Sequence, residues 1–384
     1  MHGEFRTTQR HPARVLPGSP APRLPGSPAK DPALPTCSCP RHSLLCIIPP
    51  YMLETMAGSS DPEVRDWAVR AIEASADARA TRRTLRAMPA MAAAMSPGGE
   101  RQRLVYDARH QGMSSLPGRL ARTESDPKVS DAAVNEAFDH SGTTYDFYST
   151  LFGRNSLDGN GMRLISSVHV GASLNNAFWN GQQMAYGDGD GRVFVRFTAS
   201  LDVVGHELTH GVVAHECNLV YEAESGALNE HFADVFGLLV RQWKSRQTAA
   251  RASWLIGREI IGPQCTARAL RDFGPGLAYE NDPFLGSDPQ PKHMRHKYTG
   301  TDDNGGVHLN SGIVNHAFYR FARSVGGQAW KIPGGIWYEA MRKLSSNSGF
   351  ADLVATTEMI AAARHGQDGT VHRALRQAWR DVGL

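Results

Sequence analysis

His206-Glu207-Leu208-Thr209-His210 constrains this chain of 384 residues more than any other stretch. Residues i and i+4 of an α-helix share a face, so a helix here sets two imidazoles side by side with Glu207 next to them. Two imidazoles one turn apart can bind a single metal ion, and the neighbouring carboxylate can serve as a base. A catalytic zinc usually takes three protein ligands and keeps one position for water. Downstream, Glu230 and Asp234 are again one turn apart within a run rich in Phe232, Val235, Phe236, Leu238, Leu239 and Val240. Such a run predicts a buried helix, and buried carboxylates need partners. Glu230 is therefore assigned as the third ligand. Asp234 is assigned the supporting role of accepting the free N–H of one ligand histidine and fixing its tautomer.

With those residues on the page, the chain resembles the thermolysin family of metallopeptidases, and most of all its short, protealysin-like branch. The two-histidine, one-glutamate set is the one thermolysin itself uses, so that part is an assignment by resemblance. Further ordered blocks carry the likeness. Asn175-Asn176-Ala177-Phe178-Trp179-Asn180-Gly181 resembles the family's substrate-binding edge strand, and Gly187-Asp188-Gly189-Asp190-Gly191 the turn after it. Asp303-Asn304-Gly305-Gly306-Val307-His308 resembles the second catalytic segment, and Cys46-Ile47-Ile48-Pro49-Pro50-Tyr51-Met52-Leu53 the propeptide signature of the short branch.

The resemblance implies a zinc-dependent neutral endopeptidase with one catalytic Zn2+. Glu207 would take a proton from the attacking water and pass it to the leaving nitrogen. His308 and Tyr221 match the family's donors to the tetrahedral oxyanion, and Asp303 the carboxylate that orients His308. Asn176 and the backbone of Ala177 would hold an extended peptide by main-chain pairing, which reads little sequence. Specificity would then fall to an apolar subsite lined by Val203 and Leu270, with Arg271 at its rim bonding a substrate carbonyl. Bulky hydrophobic residues just after the cut are the expected preference. Long family members bind calcium through carboxylates where Arg241 and Arg258 stand here, and a guanidinium supplies no oxygen ligand. The double calcium site is expected to be absent, with room left for a single calcium at Asp188 and Asp190. Asp202 is expected to cap the zinc helix instead.

Two other readings fit such a site in principle. An inactive metal-binding scaffold would have lost Glu207 or His308, and both are present. An aminopeptidase of the same zinc class would carry a Gly-Ala-Met-Glu-Asn strand, and no such string occurs.

The net charge of +3, with no basic patch interleaved with aromatics, excludes a nucleic-acid binder. Five cysteines without zinc-ribbon spacing argue against a disulfide framework. No apolar run approaches the roughly 20 residues of a membrane span, and none resembles a signal-peptide core. The expectation is a monomer acting on peptides and on its own propeptide, secreted without a recognisable signal, with a cytoplasmic location as the alternative.

Residues 1–42 repeat Leu-Pro-Gly-Ser-Pro-Ala and hold few apolar side chains, so they are expected to form a disordered tail. Residues 43–98 are read as propeptide and processing linker. A helix is expected from about Pro62, giving way past Ala76 to a loose Arg- and Ala-rich stretch that is cut between Ala80 and Gly99. The two prolines are expected to hold the propeptide extended in the cleft. Apolar patterning predicts strands at 103–107, 163–170 and 193–197 and helices at 129–152, 313–325, 336–343, 350–364 and 371–382. The fold class is thus α+β, a thermolysin-like two-lobe enzyme. It has a β-rich N-terminal lobe (99–216) ending in the zinc-binding helix, and a mostly α-helical C-terminal lobe (217–384).

Overall fold

In the computed structural model, residues 45–87 and 100–384 are described. The expected tail and the linker after Ala87 lie outside them.

Two strands of the first lobe follow from their apolar residues, β2 (Arg103–Asp107) and β4 (Leu164–Val168), and β3 (Arg119–Arg122) pairs with β2 without such a pattern. Two short, wholly buried strands complete it, β5 (Ala177–Trp179) and β6 (Met184–Tyr186). A sixth strand comes from far upstream, β1 (Leu45–Cys46), and the sheet order is β1-β5-β6-β4-β2-β3. β2, β4 and β6 run parallel, while β1 pairs antiparallel with β5. Helix α3 (Ala132–Phe152) starts where Asp131 accepts the N–H of Val134 at 3.2 Å and stops at Gly153 in the left-handed conformation.

Two helices form the centre of the molecule. In α4 (Leu201–Glu216) every residue from Asp202 to Val213 is buried, and α5 (Ala223–Lys244) is buried along most of its length. A helix enclosed on all sides packs by close approach, and glycines permit it here. A Cβ on Gly205 would lie 3.2 Å from the Cα of Gly237, and one on Gly237 would lie 2.5 Å from the carbonyl of Asp202. The small pair lets the two helix backbones meet, which brings His206 and His210 on one against Glu230 and Asp234 on the other.

The second lobe adds the hairpin β7 (Leu255–Ile256) with β8 (Arg271–Asp272), then α6 (Asp302–Val325), α7 (Ile332–Met341), α8 (Phe350–His365) and α9 (Thr370–Asp381). Phe147 and Phe152 on α3, Phe236 on α5 and Tyr338 on α7 interlock, with Phe152 and Tyr338 stacked at 4.1 Å between ring centres. Edge and offset contacts of this kind add to apolar burial in tying the lobes together.

The propeptide region forms α1 (Pro50–Ala57) and α2 (Pro62–Ala87). Two expectations are corrected here. Helix α2 continues well past Ala76, because alanine and arginine are strong helix formers even without an apolar stripe. Only Pro49 is extended; Pro50 opens α1, where a missing N–H costs nothing. A third correction concerns residues 193–197, which form no ladder strand. The N–H groups of Arg192 and Val193 bond the Asp190 carboxylate at 2.6 and 2.7 Å, and only Phe194 bridges, to Ile261.

Candidate active site

The imidazoles of His206 and His210 present their Nε2 atoms 3.1 Å apart, and both rings are fully buried. Glu230 completes the group, with Oε2 3.6 Å from His206 Nε2 and Oε1 3.5 Å from His210 Nε2. Each histidine is oriented from its other nitrogen: His206 Nδ1 lies 2.9 Å from Asp234 Oδ1, and His210 Nδ1 lies 2.8 Å from Asn229 Oδ1. With His210 Nδ1 bonded to Asn229 and His206 Nδ1 set against the Asp234 carboxylate, both Nε2 atoms converge on one point beside a carboxylate. Glu230 Oε2 is buried without a hydrogen-bond partner among the described residues. Crowded lone pairs and an unpartnered carboxylate oxygen are relieved by a cation, and two imidazoles with one carboxylate suit zinc.

Glu207 is wholly buried. Its Oε2 accepts the backbone N–H of Trp179 at 3.0 Å, while Oε1 has no hydrogen-bond partner among the described residues. Burial, then the nearby Cys46 and Glu230, push its carboxyl well above the usual range; a cation at the three-ligand point acts in the opposite sense.

Across the cleft, α6 begins irregularly. Residues Asp303 to Gly306 all take left-handed backbone angles, which costs energy at the two non-glycine positions. The turn lets one carboxylate hold one imidazole from two sides: Asp303 Oδ1 is 2.6 Å from His308 Nδ1, and Oδ2 accepts the His308 N–H at 2.8 Å. Burial disfavours a charged His308, but Asp303 and Glu230 outweigh it and raise its pKa well above the ordinary histidine value. His308 Nε2 lies 3.1 Å from the Tyr221 hydroxyl, which also donates to Glu230.

Arg271 sits differently from the expected rim position, wholly buried with its guanidinium forked onto Asp234 at 2.8 to 3.1 Å. Asp234 thus ties His206 to Arg271, and Asn315 closes its remaining face at 2.9 Å. Burial opposes ionisation of Asp234, and the Arg271 charge, with the contact to His206, overcomes it, holding its pKa far below the usual carboxylate range. Val203 and Leu270 are wholly buried, as an apolar subsite requires.

The cleft is filled by the chain itself. Ile47 N donates to the carbonyl of Ala177 at 3.3 Å, and Ile48 N to Asn176 Oδ1 at 3.2 Å. Arg271 Nη1 donates to the Ile47 carbonyl at 3.0 Å, and His308 Nε2 is 3.2 Å from the Cys46 carbonyl. Cys46 Sγ turns back to the carbonyl of Ile48 at 3.4 Å. Outside the cleft, Arg192 clamps Asp61 at 2.6 Å and Glu63 at 2.8 Å and lies over Trp67.

The asparagines Asn229 and Asn315 and the Trp179 N–H escaped the reading of the sequence. Asn229 directly precedes Glu230, which was the one available signal.

Two family models match this chain: "Thermolysin metallopeptidase, catalytic domain" over residues 98–214 and "Thermolysin metallopeptidase, alpha-helical domain" over 217–384. An extracellular metalloprotease of Pectobacterium carotovorum subsp. carotovorum is 47% identical over 291 residues, covering 75% of this chain and 82% of its own length. Protease PrtS of a Photorhabdus strain is 45% identical over 287 residues, covering 73% of this chain and 76% of its own length. Among solved structures, the precursor of protealysin, a metalloproteinase from Serratia proteamaculans, superposes with a TM-score of 0.79 at 42% identity, covering 88% of this chain and 99% of that one. Converging histidines and a glutamate, with a second buried glutamate beside them, are thus set in a sequence that matches both halves of one enzyme family. The chain belongs to the thermolysin metallopeptidases, on their protealysin-like side, and is a zinc metalloendopeptidase.

Proposed function

We propose that this endopeptidase is made as a self-inhibited precursor that processes itself and then cuts internal peptide bonds ahead of bulky apolar residues. The observation that carries the reading is the seating of Ile47 and Ile48, both wholly buried, against Ala177, Asn176 and Arg271. A peptide held this way takes the place of β1 as the strand added beside β5, so affinity comes from backbone bonds and selectivity from the pocket taking the side chain.

His206, His210 and Glu230 would hold the zinc, which when bound supplies a Lewis acid and an acidified water. Glu207 Oε1, buried and unpartnered, takes the proton and returns it to the leaving nitrogen. His308, kept cationic by Asp303, and the Tyr221 hydroxyl donate to the oxyanion. Asn176, Ala177 and Arg271 align the substrate backbone, and Val203 with Leu270 favour an apolar side chain after the cut.

Residues 43–98 act as propeptide and linker, and 99–216 and 217–384 as the two lobes. That role is supported by the likeness to a precursor structure. Secretion is supported by a relative named an extracellular metalloprotease, and no described helix is long and apolar enough to cross a membrane. The chain works as a monomer.

The double calcium site is absent in this reading, because Arg241 fills its place: the guanidinium bonds the buried Asp202 carboxylate, which also takes Ser200 Oγ at 2.5 Å and the Gly257 N–H at 3.3 Å. Asp202 therefore does not cap α4, as it sits inside the first turn facing Arg241. Arg258 is exposed. A single calcium at Asp188 and Asp190 would compete with the His169 contact to Asp188 and with the turn N–H groups bonded to Asp190.

The test is N-terminal sequencing of purified wild type beside Glu207→Gln. Wild type should acquire a start between Ala80 and Gly99 and the variant should retain residues 43–98. Both chains keeping that segment while cutting added peptides equally well would sink the self-inhibited precursor.

A further inference from the structure

The segment in the cleft is bound in the register of a substrate about to be cut. Hydrolysis needs an oxyanion donor at the carbonyl of the scissile bond. In an extended chain the anchors on the following residue then fall at fixed backbone positions. The donor His308 Nε2 addresses the carbonyl of Cys46 at 3.2 Å. The next N–H, of Ile47, goes to Ala177 at 3.3 Å, the next carbonyl goes to Arg271 at 3.0 Å, and the next N–H, of Ile48, goes to Asn176 at 3.2 Å. Upstream, Leu45 and Cys46 pair with Trp179 and Phe178 of β5, so the chain is held on both sides of a single bond. Glu207 is fastened to the same strand, through the Trp179 N–H, and its other oxygen is buried without a partner. Ile47 offers an apolar side chain directly after that bond.

We propose that the Cys46–Ile47 peptide bond is a self-cleavage site, distinct from the linker cut, and that it removes the first 46 residues. This inference rests on the endopeptidase reading above. Water adds across the amide: its oxygen bonds to the Cys46 carbonyl carbon as the C–N bond breaks. Its two protons pass to the Ile47 nitrogen, the first by way of Glu207, leaving a Cys46 carboxylate and an Ile47 ammonium. Residues from Ile47 onward stay seated after the cut, because the bonds to Ala177, Asn176 and Arg271 and the Arg192 clamp on Asp61 and Glu63 all lie on their side of it. The N-terminal trimming and the opening of the cleft are therefore separate events.

The experiment incubates the zinc-loaded full-length chain and follows every terminus by mass spectrometry. A blocked synthetic peptide of residues 43–53 and an unrelated blocked peptide with one internal leucine are added in parallel. The expected result is a chain ending at Cys46 and one beginning at Ile47, absent from Glu207→Gln, with the 43–53 peptide cut at the same bond. Replacing Ile47 by Asp in that peptide should slow its cleavage at least about tenfold, since an apolar pocket rejects a charge, and the peptide has no fold to lose. If the leucine peptide is cut while Cys46–Ile47 survives in both chain and peptide, this inference is overturned and the endopeptidase reading stands. If neither peptide is cut, both are overturned.

Discussion

Asp234 and Arg271 form a wholly buried ion pair, 2.8 Å at its shortest, that joins His206 to the peptide in the cleft. One oxygen of Asp234 holds His206, while the guanidinium it anchors reaches the carbonyl of Ile47. Removing one partner of such a pair strands a charge in the core, which typically costs about 3–5 kcal/mol. Arg271→Met should lose about that much in urea unfolding. Arg271→Lys should recover part of the stability but, lacking the fork, still raise KM for a blocked peptide. A stable Arg271→Met with unchanged KM would remove the pair from this role.

In the proposed mechanism Asp303 acts on the reaction only through His308. His308→Ala should keep its zinc and lower kcat by about 10²-fold or more, the usual loss for one oxyanion donor. Asp303→Asn should lower kcat less, and because the carboxylate raises the His308 pKa, activity should fall off at a lower pH than in wild type. An unshifted alkaline limb of the kcat profile would contradict that coupling.

Arg241 replaces a cation in the account of Asp202. Selective calcium chelation should leave the Tm of the zinc-loaded chain unchanged. Arg241→Met should instead cost about 3 kcal/mol or more, because Asp202 is wholly buried and left unpaired. A large drop in Tm on calcium removal would mean that these loops hold the ion after all.

His169 bridges Asp188 at 2.9 Å and Asp131 at 2.8 Å, with exposed His110 beside it. The Asp188 bond, against burial and with help from Asp131, raises its pKa from 6.5 to about 9. A histidine raised on folding stabilises fully below its unfolded pKa, and that stability is lost as pH climbs through the folded value. Wild type should therefore lose Tm between pH 6.5 and 9. His169→Asn, which tolerates the left-handed backbone at this position, should show a flatter profile over the same window. Parallel profiles would exclude the triad as the source.

The group that could hold a metal was legible in the sequence because its geometry is local: His206 with His210, and Glu230 with its neighbour Asp234, are each one turn apart on a single helix. What joins the two helices was not legible. Gly205 and Gly237 gain meaning only when their backbones meet, and Asn229 becomes an orienting group only when α5 faces α4. The strand expected at 193–197 failed because the Asp190 carboxylate competes for backbone N–H groups that a ladder would need. Helix α2 outran its apolar pattern because intrinsic propensity, together with packing by Val64, Ala68, Ala71 and Ala78, carries it on. Arg271 was expected at a rim, yet the Asp234 charge makes a buried arginine affordable, and a single sequence cannot show that pairing.

The measurement that tests the central claim most directly is bound zinc together with turnover of a blocked internal peptide, for wild type and Glu207→Gln side by side. Both proteins should hold one zinc per chain, and the variant should lose turnover by several orders of magnitude while still binding the peptide. A Glu207→Gln protein that retains most of the wild-type turnover, or a wild type that cuts the peptide without zinc, would contradict the account.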